Sequence, residues 1–77
     1  MRVEVPEPLD APEVVVRLEI RVGGAHMQQE EIHQKMMPPW TVAVVPLRVS
    51  QPGEWNAALI ANSRKITDVE FKIRRPE

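Results

Sequence analysis

A chain of 77 residues without cysteine has room for one domain and can use neither a disulfide nor a thiolate metal site to support it. Ten basic and eleven acidic residues give a pI near 6.1, which excludes bulk attraction to nucleic acid or anionic membrane. No apolar run approaches the roughly 18 residues of a membrane span, and Met1-Arg2-Val3-Glu4-Val5-Pro6 is too charged and proline-broken for a signal peptide, so a cytoplasmic or virion-associated location is expected.

Residues 1–12 carry three prolines, which confine the segment to a proline-rich arm or an edge strand. A single β domain is expected over 13–75. It opens on the clearest strand, Glu13 to Val22, where Val14, Val16, Leu18, Ile20 and Val22 alternate with Arg17, Glu19 and Arg21. That period of two puts one face on a core and the other in water. Gly23-Gly24 then breaks the strand.

Ala25 to Met37 is rich in Gln and Glu, has Ile32 as its one β-branched residue, and stops at Pro38-Pro39. These are helix formers ended by a helix breaker, so a short helix, or else a loop, is expected. Trp40 to Val49 is apolar on both faces, with Val42, Val44 and Pro46 on one and Val45, Leu47 and Val49 on the other. Pro46 implies an edge position or an irregularity.

Two further strands follow, separated by Gln51-Pro52-Gly53-Glu54 and Asn62-Ser63-Arg64-Lys65. Trp55, Ala57, Leu59 and Ala61 alternate in the first; Thr67, Val69, Phe71 and Ile73 alternate in the second. Setting both rows on one face of an antiparallel pair requires partners whose numbers sum to an even value. A three-residue loop satisfies that, whereas a two-residue Asn62-Ser63 turn needs a compensating bulge. The expected fold is therefore mainly β: a small antiparallel β-sandwich or open barrel of four to five strands with one short helix or loop.

Pro52-Gly53-Glu54-Trp55, the Asn62-Ser63-Arg64-Lys65 hairpin and Phe71-Lys72-Ile73 resemble the closing strands of small immunoglobulin-like β-sandwich domains of bacterial and phage proteins. The resemblance covers residues 45–74 and implies no catalytic residues. Such sandwiches have about seven strands in about 100 residues. The five read here leave a layer to be supplied by a second copy or a partner.

Size points the same way. A chain this short buries only about 60% of its unfolded surface, and Trp40, Trp55 and Phe71 are its only aromatics. A protein partner or a homo-oligomer is expected, with Trp40 to Val49 as the contact strand. Met36, Met37, Trp40, Val42 and Val44 form the candidate interaction surface, since methionine adapts to partners and tryptophan anchors them. Met27, Met36, Met37 and Trp40 have the opposite role open to them, as filling for a core short of large side chains.

Arg64, Lys65, Lys72 and Arg74 make the C-terminal hairpin basic, the one feature suited to phosphate. Asp68 and Glu70 dilute it and no exposed aromatic interleaves to stack bases, so nucleic acid is a disfavoured partner. His26, Glu30 and His33 share a side if their segment is helical, yet the two histidines would stand about 10 Å apart along the axis, too far for one ion. Ser50, Ser63, Thr41 and Thr67 have no organised base, and no GK[ST] phosphate loop is present. Neither enzyme activity, nor a cofactor, nor a metal is expected. What remains is a non-enzymatic interaction or structural module, such as an accessory component of a phage particle. A small inhibitor of a host enzyme or nucleoprotein complex and a nucleic-acid-binding module are the alternatives.

Overall fold

The computed structural model describes residues 1–74; Arg75, the last residue of the expected domain, lies outside the described residues. Six strands follow in chain order: β1 Arg2–Leu9, β2 Glu13–Val22, β3 Ala25–Lys35, β4 Trp40–Val44, β5 Gly53–Ala61 and β6 Arg64–Ile73. They form two antiparallel sheets, one of four strands in the order β3-β2-β5-β6 and one of two, β1-β4. No helix among the described residues is long and apolar enough to cross a membrane.

The alternating row of β2 does what its pattern predicts. Val14, Val16, Leu18 and Ile20 are fully buried and meet Ala61, Leu59, Ala57 and Trp55 of β5 across the ladder. The β1-β4 sheet adds Val3, Trp40, Ala43 and nearby Val45 to the same core. Past β4, Val45 still exchanges hydrogen bonds with Met1 through its backbone N–H and carbonyl, each at 2.7 Å; from Pro46 to Pro52 the chain has no ladder partner among the described residues, and Val45, Leu47 and Val49 turn inward while Pro46, Arg48 and Ser50 turn outward. This accounts for the doubly apolar run: a covering strand ends before Pro46, and an unpaired stretch keeps the same alternation beyond it.

The hairpin between β5 and β6 takes the second of its two expected forms. Asn62 and Ser63, at φ of 51° and 62°, make a two-residue turn of the type that matches strand twist. Ala61 faces Arg64, an odd sum, and a bulge at Ile66 then lets Leu59 face Thr67 and Trp55 face Phe71. The rings of Trp55 and Phe71 stack with centroids 6.4 Å apart, as cross-strand aromatic neighbours do.

Residues 25–35 depart from expectation, being strand where a helix or loop is predicted, so the described residues form six strands where four to five are predicted. Gly23 and Gly24, at φ of 57° and 84°, return the chain directly along β2, so every residue from Ala25 gains a ladder partner on Glu13–Val22 apart from the bulged Gln29. That pairing outweighs a helix propensity worth only tenths of a kcal/mol per residue. An edge strand with both faces largely wet also needs no apolar alternation, and β3 is exposed along most of its length.

Gly53 shows how closely β5 meets its neighbour β2 within the large sheet. Its φ of 150° belongs to glycine, and a Cβ there would stand 2.9 Å from Cδ1 of Ile20. Any larger residue must displace a buried side chain.

Candidate interaction surface

The five residues of the expected surface separate into two groups. Trp40 is buried, and its indole Nε1 donates to the carbonyl of Ala11 at 2.8 Å. Of the two roles open to Trp40, its burial matches core filling and not an exposed anchor: with few large side chains available, the ring closes the core where β1 turns into β2. Met36 is half-buried against the same core, its backbone N–H bonded to Pro12 at 2.8 Å. Met37, by contrast, is 90% exposed. Val42 and Val44 also face outward, Val44 at 56%, beside an Arg2–Glu4 ion pair on the facing residues of β1. The amide of Gln34 reaches over to the carbonyl of Val44 at 2.7 Å, tying the end of β3 to β4.

A second set of uncovered apolar groups lies on the core-facing side of the large sheet. Val22 and Met27, at one corner, are 51% and 52% exposed, and Val69, on β6, is 45% exposed. Each continues a row buried further along: Val22 extends Val14 to Ile20, Met27 faces Ile20, and Val69 faces the fully buried Ala57. A two-stranded cover is narrower than the four strands beneath it.

The basic hairpin does not converge. Arg64 faces Ala61 at one end of β5, whereas Lys72 faces Glu54 at the other, a separation of about 25 Å at the rise of a strand. Lys65 is paired with Asp68 at 3.6 Å, and Arg74 follows the end of β6.

On β3, His26 and His33 face outward in register with Arg21 and Val15, while Glu30 is opposite Leu18 on the core-facing side. The three cannot share an ion, and no metal-holding group of His, Cys, Asp and Glu occurs among the described residues. His33 instead joins a charged cluster with no counterpart in the sequence reading. Its Nδ1 is 3.0 Å from Glu13 and its Nε2 is 3.3 Å from Glu31, which also meets Arg17 at 3.3 Å. Only the β2–β3 register brings these together.

The Glu13 hydrogen bond, helped by the charges of Glu13 and Glu31, raises the His33 pKa above its ordinary 6.5. The Gln28 hydrogen bond, with Arg17 and His33, lowers Glu31 below 4.5. A raised histidine stabilises fully below its unfolded value and loses that contribution as pH rises through the folded one; a lowered carboxylate stabilises above its unfolded value and loses it as pH falls through the folded one. Both contributions are therefore present between about pH 4.5 and 6.5. Melting temperature is expected to decline slightly from pH 6 to pH 9, the decline shrinking in His33→Gln and at high salt. An identical profile in the variant would show that the cluster does not act.

The outer face of the large sheet holds an open depression of about 490 Å³ lined in part by Arg21, His26, Glu54, Asn56, Glu70 and Lys72. Asn56 faces Glu19 on one side and Glu70 on the other, both acceptors, and its buried Oδ1 has no hydrogen-bond partner among the described residues.

No protein-family model, curated protein or solved structure matches the chain.

Proposed function

We propose that the protein is a non-enzymatic interaction or structural module, a component of a larger assembly whose neighbour completes the second layer of the sandwich. The observation that carries this reading is the uncovered corner of the core-facing side, where Val22 and Met27 are half-exposed although Val22 extends the buried row Val14 to Ile20 and Met27 faces the buried Ile20. Apolar surface left open on a face built for burial favours a covering partner at about 25 cal/mol per Å², before association costs. The immunoglobulin-like resemblance supports the same reading, since it implies a cover wider than two strands.

Gentle purification from the native source is expected to yield the chain in a stoichiometric assembly. The V22K/M27K double variant is expected to keep its fold, because both positions are half-exposed, and to come away from that assembly. A chain that purifies alone in both forms overturns the reading. A single enzyme held by the wild type would replace it with that of an inhibitor.

A further inference from the structure

We propose that two copies of the chain pair through β6, antiparallel and centred on Phe71, joining their four-stranded sheets into one of eight. β6 is the last strand of its sheet, so its outer edge has no described partner. Such an edge offers unpaired N–H and C=O groups to any compatible strand unless something blunts it.

The two edges of the sheet differ in this respect. β3 carries Glu30 on its core-facing side and a bulge at Gln29, and antiparallel self-pairing about its middle sets the Glu30-Glu31 acids against each other. Inward charges and bulges are common ways of blocking an edge. From Thr67 onward β6 has neither feature. Its bulge lies behind, at Ile66, and Thr67, Val69, Phe71 and Ile73 form the core-facing row.

The order of residues along β6 selects one register. Centred on Phe71, the pairing sets Phe71 against Phe71 of the second copy, Val69 against Ile73, Glu70 against Lys72 and Asp68 against Arg74. Apolar residues meet apolar ones on the core-facing side, and opposite charges meet on the other. By the two-fold symmetry each unlike pair occurs twice. A register centred on Val69 opposes Asp68 and Glu70, and one centred on Ile73 opposes Lys72 and Arg74. Centres on Glu70 or Lys72 place a like charge against itself. Odd-numbered sums set the charged row of one copy against the apolar row of the other. Val69, half-exposed in the single chain, gains Ile73 of the second copy as its neighbour.

Glu70 and Lys72 are both exposed, so charge exchange tests the pairing without entering the core. Sedimentation of the wild-type chain at micromolar concentration is expected to give twice the 8.8 kDa of one chain. Glu70→Lys and Lys72→Glu, each alone, turn two attractive contacts into two repulsive ones and are expected to weaken the dimer about tenfold or more. The E70K/K72E double variant restores opposite charges and is expected to dimerise again. An equimolar mixture of the two single variants is expected to form a heterodimer that neither forms alone. A monomeric wild type overturns the proposal, and so does a dimer indifferent to both single substitutions. The uncovered corner at Val22 and Met27 is not altered in these variants, so either result leaves the assembly reading standing or falling on its own test.

Discussion

Replacing Trp40 with alanine is expected to leave most of the protein unfolded at 25 °C. Removing a buried tryptophan costs about 3–5 kcal/mol, comparable to the whole 3–5 kcal/mol that a core in a chain this small supplies. The carbonyl of Ala11 loses its donor in the same step. Trp40→Phe keeps the ring's bulk and removes that hydrogen bond, at about 1–3 kcal/mol, so its melting temperature is expected to fall by roughly 5–20 °C for a domain of this length. Circular dichroism melts of both variants check this. A Trp40 that served a partner from the surface would leave both melts unchanged.

Leu18→Ala is expected to be comparably damaging, at about 2–5 kcal/mol. Leu18 is fully buried, opposite Ala57 on one side and Glu30 on the other. Alanine at residue 57 has no bulk to move into the cavity. Val22→Ala, two turns of the same alternation further along β2, is expected to cost less than about 1 kcal/mol, because half of that side chain is already in water. Urea unfolding of the two variants measures the contrast. Equal losses would mean that the Val22 corner is covered within the single chain.

The sequence made some of this legible and hid the rest for identifiable reasons. The row Val14 to Ile20 could be read because a strand with one wet face must alternate. Parity narrowed the second hairpin to a three-residue loop or a two-residue turn with a bulge, because Trp55 to Leu59 and Phe71 to Thr67 must share a face; the choice of the bulged form was not legible. β3 could not be read, since residues at a sheet edge with little surface to bury carry no period, and Gln and Glu weight local propensity towards helix. Trp40 was ambiguous because its partner, Ala11, is distant in sequence and contributes only a backbone oxygen. The Glu13–His33–Glu31 cluster is hidden for the same reason, since it depends on the β2–β3 pairing, against which the local propensity of β3 argues. Of the expected surface, Val42, Val44 and Met37 are exposed, as a docking role needs; which face meets a partner depends on cover, a property of the packed sheets and not of any one segment.

The order β3-β2-β5-β6 also divides the molecule by the distance over which its strands find one another. β2 with β3, and β5 with β6, close over two residues each, and hairpins of this kind form in about 1–10 μs. The β2–β5 ladder joins them across a span of about 30 residues, and β1 meets β4 over one of similar length. Folding is therefore governed by the docking of two early hairpins along a sequence-distant seam, which places the chain with the slower, millisecond-to-second β proteins. Until that seam closes, Leu18, Ile20, Trp55 and Leu59 stand open to solvent on separate hairpins. The interval before docking is when the chain is most exposed to aggregation, and a substitution that delays the seam harms yield even where the finished fold tolerates it.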